Sequence, residues 1–313
     1  MPGSDGEVIS VDDACDCAKR IGFPVMLKAS HGGGGRGIQI VDDEASLRST
    51  FKGLRNEAEQ LFGNGGVYIE KWLDAPRHIE IQVFGDGNGR VIHFGARECS
   101  IQRRHQKLLE ETPPPGIPGA RIAELAISCC GALAELNYSN AGTLEFLFQD
   151  GAFYFIEMNT RIQVEHPITE SVTGIDLVKL QLSFASTGRL SLLQSDVCFS
   201  GHAMECRINA EDRNFQPAPG AVNQYRTPGG PGIRLDSHLY PGYIVPHQYD
   251  SLLAKVISTG SDRAECIARM ERALVEFVIG PVSTNIDLQR FILRDARFRS
   301  GELDTHFLEG MEK

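Results

Sequence analysis

The nine residues Glu157-Met158-Asn159-Thr160-Arg161-Ile162-Gln163-Val164-Glu165 restrict the fold more than any other stretch of the chain. Odd positions carry Glu, Asn, Arg, Gln and Glu, and even positions carry Met, Thr, Ile and Val. Side chains alternate faces along a strand, so the run predicts five polar groups on one side and a packed opposite side. A merely solvated strand face would favour Thr, Lys or Tyr, whereas Asn and Glu are depleted in strands. Strands are expected at 143–149 and 152–165, the first adding Glu145 through the connection Gln149-Asp150-Gly151. A two-residue turn at Asp150-Gly151 would put Glu145 and Glu157 on opposite faces. A three-residue loop with a left-handed Gly151 would make them neighbours. We expect the longer loop, because it also gathers Leu144, Phe146, Phe148, Ile156 and Met158 on the packed side. Adjacent carboxylates repel unless a cation sits between them. Glu145, Glu157 and Asn159 form a hard oxygen set suited to Mg²⁺ carrying nucleotide phosphates, and Arg161 adds a bidentate anion fork.

A second signal is His31-Gly32-Gly33-Gly34-Gly35-Arg36-Gly37, between expected strands at 23–28 and 38–42. Glycine lets backbone N–H groups approach an anion with no Cβ in the way, and Lys28 would meet phosphate oxygens at the end of the first strand. No G-K-[ST] follows, and a strand rather than a helix comes next, so neither a P-loop nor a dinucleotide fingerprint is present. The arrangement reads as a flap over a triphosphate. The run Cys99-Ser100-Ile101-Gln102-Arg103-Arg104-His105-Gln106-Lys107 supplies further cations, with Glu110 and Glu111 to offset them. Alone it would be a solvated basic turn; beside a metal–phosphate site it becomes a candidate anion holder. Farther on, His202–Asn209 alternates again and sets Glu205, Arg207 and Asn209 on one face. A lone Arg on a strand is more often structural, so the residues themselves leave Arg207 open.

The remaining pattern is mixed α/β. Helices are expected at 44–62, about 120–136 and about 174–187, and one after Ser261-Asp262. Strands are expected at Val67–Lys71, His78–Val83, Val91–Ala96 and 201–209, with short ones through 258. Four prolines exclude regular structure from Glu110–Gly119. The chain's 313 residues are 42% hydrophobic and 23% charged, enough for a sizeable core. A net charge of −10 argues against a nucleic-acid surface. No apolar run is long enough to span a bilayer and no signal pattern opens the chain, so a cytoplasmic protein is expected. The eight cysteines form no C-x-x-C pair and are read as reduced thiols.

Taken together, the runs K-A-S-H-G-G-G-G-R-G, E-K-W-L, P-R-H-I-E-I-Q-V, C-S-I-Q-R-R-H-Q-K, F-I-E-M-N-T-R-I-Q-V-E-H-P-I-T-E and G-H-A-M-E-C-R-I-N-A-E-D resemble the biotin carboxylase component of acetyl-CoA, propionyl-CoA and pyruvate carboxylases, within the ATP-grasp superfamily. The resemblance implies an ATP-grasp lid at 1–72, a core with the metal and bicarbonate site at 73–195, and a biotin carboxylase C-terminal region at 200–313. It implies that Lys28 and the Gly32, Gly33, Gly34, Gly35 flap cover the phosphates of ATP. Glu70, Lys71 and Leu73 would cradle adenine, with His78 and Gln102 near the ribose and His105 lining the nucleotide site. Glu145, Glu157 and Asn159 would hold Mg²⁺ (or Mn²⁺). Lys107, Arg161, Gln163 and Val164 would fix bicarbonate, Glu165 would deprotonate it, and Arg207 would stabilise the biotin enolate. Carboxyphosphate would be the activated species.

The resemblance also implies partners: a biotin carboxyl carrier protein, a carboxyltransferase component and a second copy in a homodimer. No A-M-K-M biotin-attachment motif is present, so biotin would arrive on a separate chain or segment. Family members carry a Rossmann-like domain ahead of P-G-S-D-G, so the chain is expected to lack one side of the cleft and to expose apolar surface. Two rivals share part of these features. One is another ATP-grasp carboxylate–amine ligase, which should lack R-R-H-Q-K and R-I-Q-V-E; the other is a fragment that binds nucleotide or a partner without catalysis.

Overall fold

The computed structural model describes residues 1–31, 37–104 and 106–309, in two compact units, Met1–Ala75 and Pro76–Lys313. Arg36, His105 and the four glycines Gly32–Gly35 lie outside the described residues.

The first unit runs α1 (Val11–Ile21), β1 (Val25–Ala29), β2 (Ile38–Val41), α2 (Glu44–Phe62) and β3 (Val67–Lys71). Its antiparallel sheet has the order β2-β1-β3. The sequence reading had no helix at α1. A capping box builds it: Ser10 accepts from the backbone of Asp13, and the Asp13 side chain returns the bond. Ala14, Cys15, Cys17 and Ala18 then turn inward against Val25, Leu27 and Ile69. Asp43 caps α2 in the same way, and Gly63 ends it in the left-handed conformation.

The second unit begins with β4 (Arg77–Asp86), β5 (Val91–Arg103), β6 (Gln106–Thr112), α3 (Gly119–Glu135), β7 (Ser139–Gln149), β8 (Ala152–Asn159), α4 (His166–Thr173) and α5 (Leu177–Thr187). It continues with β9 (His202–Asn209), β10 (Gly220–Val222), β11 (Gln224–Arg226), β12 (Ile233–Ser237), β13 (Tyr243–Val245), β14 (Leu252–Gly260), α6 (Arg263–Glu276), β15 (Val278–Gly280), α7 (Ile286–Arg294) and α8 (Ala296–Ser300). One antiparallel sheet of eight strands, ordered β12-β14-β9-β6-β5-β4-β7-β8, runs through it. The β6–β9 pairing joins the early and late parts of the sequence in that sheet. Ile79, Ile81 and Leu144 pack against Ala126, Cys129 and Leu133 of α3, while Met204, Cys206 and Val256 pack against Met270 and Leu274 of α6. Burying each such aliphatic side chain contributes about 1.5–3 kcal/mol.

Three local expectations are corrected. Glu110 to Thr112 complete β6, because the prolines that forbid a strand begin only at Pro113. The expected strand at 152–165 stops at Asn159; Glu165 caps α4, and Pro167 stands where a helix tolerates a missing N–H. The expected helix at 174–187 is α5 alone, preceded by α4 and separated from it by the left-handed Gly174.

The β7–β8 hairpin also departs from its expected form. Gln149 pairs with Ala152, so the turn is the two-residue one, and Asp150 and Gly151 both have positive φ (52° and 77°). That register alone would oppose Glu145 to Ile156. A bulge between the Phe146–Phe155 and Glu145–Glu157 pairs inserts Ile156 as an extra residue and brings Glu157 opposite Glu145. The neighbours are those expected, and the device is different. Ile156, expected on the packed side, is 41% exposed.

Candidate active site

The strand registers line up a row of charge across the middle of the sheet: Arg97 on β5 faces Glu80 on β4, Glu80 faces Glu145 on β7, and Glu145 faces Glu157 on β8. Three carboxylates side by side destabilise a sheet unless cations intervene. Two do. Arg97 is fully buried, pairs with Glu80, and donates to Gln82 at 2.8 Å and Thr169 at 2.9 Å. Lys107 comes over from β6 and places Nζ 2.5 Å from Glu80, 3.0 Å from Glu145, 3.3 Å from Gln163 and 2.6 Å from Glu165.

These cations decide the protonation states. Burial alone would raise the Glu80 carboxyl, but Arg97 and Lys107 outweigh it and bring Glu80 down to about 2. Glu145 meets the same opposition, with burial pushing up and the His78 hydrogen bond and Lys107 pulling down, and also reaches about 2. Burial works against the Lys107 ammonium, yet Glu80, Glu165 and Glu145 raise its pKa overall.

Around this row lies a cavity of about 660 Å³. His78, Lys107, Glu145, Glu157, Asn159, Arg161, Gln163, Val164, Glu165 and Arg207 all line it. His78 Nε2 lies 3.0 Å from Glu145. The Asn159 amide donates to Glu145 at 3.0 Å and Glu157 at 3.2 Å, and Gln163 donates to Glu145 at 3.0 Å. Two facing carboxylates, with an Asn159 amide whose oxygen would face them on a flip of the amide, supply a hard oxygen set for a divalent cation. Glu165 bridges two cations, accepting from Lys107 on one oxygen and from Arg207 at 2.8 Å on the other. Arg207 also donates to Glu110 at 2.6 Å. Arg161 differs: it donates to the Ile162 carbonyl at 3.2 Å and forms no ion pair with a described residue.

Gln102 sits on β5 opposite Lys107, outside this cavity's lining. Lys28, Glu70, Lys71 and Leu73 belong to the first unit. There Lys28 is paired with Glu70, Lys71 donates to the carbonyls of Gly22 and Phe23 at 2.9 and 3.1 Å, and Leu73 is buried. Sequence reasoning missed Glu80, Arg97 and Glu110. The alternation His78-Ile79-Glu80-Ile81-Gln82-Val83 carried the signal for Glu80, with the same period that singled out 157–165. Gln106, Asn209, Asp250 and Leu252 also line the cavity.

Comparison with known proteins places the chain in a family. Residues 1–193 match the family described as carbamoyl-phosphate synthase L chain, ATP binding domain, and residues 205–310 match the biotin carboxylase C-terminal domain. The biotin carboxylase of Pseudomonas aeruginosa is 51% identical over all of this chain and 71% of its own length. The chain belongs to the biotin carboxylase family. Biotin carboxylase 1 of Bacillus subtilis is 50% identical over 99% of the chain and 70% of its own length. Among solved structures, the biotin carboxylase domain dimer of Hydrogenobacter thermophilus 2-oxoglutarate carboxylase, in complex with MgADP, ADP and bicarbonate, superposes with a TM-score of 0.89. It is 46% identical, over 99% of this chain and 69% of that one. The chain thus spans about 70% of the length of these biotin carboxylases. No helix among the described residues is long and apolar enough to cross a membrane.

Proposed function

We propose that the chain carries out the biotin carboxylase reaction, using ATP and bicarbonate to carboxylate biotin on a carrier and releasing ADP and phosphate. The observation that carries this reading is Glu165, held between Lys107 and Arg207 in the cavity that also holds the Glu145, Glu157 and Asn159 cluster. An ATP-grasp ligase of another kind would need the carboxylates but not this doubly bridged glutamate.

Bicarbonate is a poor nucleophile. The guanidinium of Arg161, which forms no ion pair with a described residue, would orient it with Lys107, Gln163 and Val164, and Glu165 would accept its proton within hydrogen-bond reach. Attack of the bicarbonate oxygen on the terminal phosphoryl group breaks the bond to ADP and gives carboxyphosphate. Its breakdown yields CO₂ and phosphate; the phosphate takes the biotin N–H proton, and Arg207 holds the charge that develops on the ureido oxygen. Glu145, Glu157 and Asn159 would hold the Mg²⁺ or Mn²⁺ that screens the phosphate charge. Lys28, Glu70, Lys71 and Leu73, with Gly32–Gly35, His78, Gln102 and His105, would serve the nucleotide. For Lys28 this requires release from Glu70, and for the Lys71 side chain release from the carbonyls of Gly22 and Phe23.

The carrier protein and the carboxyltransferase component complete the reading as partners, with a homodimer as the assembly and the cytoplasm as its place. The dimeric 2-oxoglutarate carboxylase domain supports the assembly. The test is bicarbonate-dependent ADP release with and without free biotin, on this chain and on a version extended upstream. Biotin-stimulated release is expected, and Glu165→Gln should cut it at least about 10²-fold while leaving ATP binding nearly intact. Release indifferent to bicarbonate and biotin in both versions overturns the reading.

A further inference from the structure

Beneath Arg207 lie two carboxyls with no assigned work. β6 and β9 pair so that Glu110 stands directly opposite Glu205, and both side chains are fully buried. One Glu110 oxygen accepts from Arg207; its other oxygen, and both oxygens of Glu205, accept nothing from a described residue. The charged groups facing Glu205 come from four elements: Glu110 on β6, Arg207 on β9, Lys255 on β14 and Glu165 at the head of α4. Arg207 is divided between Glu110 and Glu165. Lys255 is turned away, donating to the Val164 carbonyl at 2.9 Å and lying 3.6 Å from Asp236. The other titratable groups of α4 are also committed elsewhere, His166 to the Gln163 carbonyl and Glu170 to Leu177 and Arg234.

Arg207 thus reaches Glu110 and Glu165, the latter shared with Lys107, and no cation among the described residues pairs with Glu205. A fully ionised Glu205 in that position would be a desolvated charge without a partner, which the interior does not sustain. We propose that Glu110 and Glu205 hold one proton between them, Glu205 being the carboxylic acid, and that this neutral member makes Glu205 a positioning residue that keeps the Arg207 charge available to biotin. Burial pushes Glu205 well above the ordinary carboxylate range, and the neighbouring Glu110 adds to it; burial also lifts Glu110, to about 7, against the pull of Arg207. Below its raised pKa Glu205 is neutral, and above it the second negative charge draws on Arg207. The arrangement gives Arg207 an alkaline cutoff set by a residue that never touches substrate.

The inference rests on the biotin carboxylase reading for its consequence, but its first test needs no activity. Infrared spectra of the whole chain, with and without ¹³C-glutamate, should contain a protonated carboxylic acid band at neutral pH that bleaches on alkaline titration and is missing in Glu205→Gln. A wild-type spectrum from which Glu205→Gln removes no such band overturns the proposal. Stability gives a second reading: Glu205→Gln and the isosteric Glu205→Met should melt no lower than wild type, because a neutral acid without a partner is being replaced. Loss of folding in both means that Glu205 is an ionised, paired residue and defeats the proposal. Where the biotin-dependent rate is measurable, its alkaline limb should move upward in Glu205→Gln; an intact band with no change in that limb would leave the proton in place and refute the link to Arg207.

Discussion

Lys107→Met is the sharpest perturbation of this site, because one ammonium holds three buried carboxylates in place. Lys107 contacts Glu80, Glu145 and Glu165 within 3.0 Å, and its own side chain is 11% exposed. Methionine keeps most of the volume and removes the charge. Removing one partner of a buried ion pair costs about 3–5 kcal/mol, because the remaining charge keeps its desolvation penalty. The titration shifts give the same scale from another direction. Glu80 and Glu145 each fall from 4.5 to about 2, and each such shift corresponds to roughly 3 kcal/mol, shared between Lys107 and the Arg97 or His78 partner. We expect the variant to lose about 3 kcal/mol of unfolding free energy at neutral pH. The sign with pH follows from the depressed pKa values. Their stabilisation is fully present above about 4.5 and is lost as pH falls toward 2, so the deficit of the variant should shrink across that window. Urea titrations of both proteins at a series of pH values measure it. A deficit below about 1 kcal/mol at neutral pH, or one that stays constant down to pH 3, refutes the charge balance argued here.

Two further predictions concern single features. Arg161→Lys keeps a cation but loses the planar fork, and the Michaelis constant for bicarbonate should rise about tenfold or more with little change in ATP affinity; an unchanged constant would remove Arg161 from the anion site. Deleting Ile156 removes the bulge and leaves the two-residue turn, with Glu157 still opposite Glu145 and Asn159 still opposite Thr143 in a now regular ladder. The apparent affinity for Mg²⁺, read from metal-dependent nucleotide binding, should therefore stay within about threefold of the parent while α3 and the central strands keep their amide protection; a loss of about tenfold or more would mean that the bulge geometry, and not the pairing it sets, builds the metal cluster.

What could be read from the sequence, and what could not, follows from the physics of each signal. The period-2 runs were legible because charged residues alternating with aliphatics on a strand have few bland explanations, and His202–Asn209 and 143–149 appear as strands. The hairpin was legible only in outcome. A two-residue turn with a bulge and a three-residue loop both shift the register by one, so the hydrophobic pattern cannot separate them. Alternation also ran past the true end of β8: the chain turns at Thr160, yet Gln163 and Glu165 still reach the same cavity from a turn and a helix cap. Helix α1 was overlooked because its apolar stripe, Val11, Ala14, Cys15, Ala18 and Ile21, is made largely of small residues set among three aspartates, and the Ser10–Asp13 cap that opens it went unread. Glu110 was read as a counter-charge for a basic turn, since nothing local reveals that β6 carries it beneath Arg207.

The row from Arg97 to Glu157 explains why these roles fall where they do along one line of a sheet. Arg97 and Glu80 are fully buried, Glu145 is 7% exposed, and Glu157 is exposed at the edge strand. At the buried end a charge survives only with a permanent partner, so Arg97 and Glu80 neutralise one another and cannot exchange partners without a large cost. At the open end water supports a carboxylate between ligands, so Glu157 can gain and lose a metal ion cheaply. Glu145 stands between, buried enough to need Lys107 and His78 and open enough to face the cavity. Exchange of partners is therefore possible only at the outer two carboxylates. An arginine at position 97 rather than a lysine suits the inner end, because its planar fork reaches Glu80, Gln82, Thr169 and Thr143 together, whereas an ammonium could not satisfy that spread of acceptors.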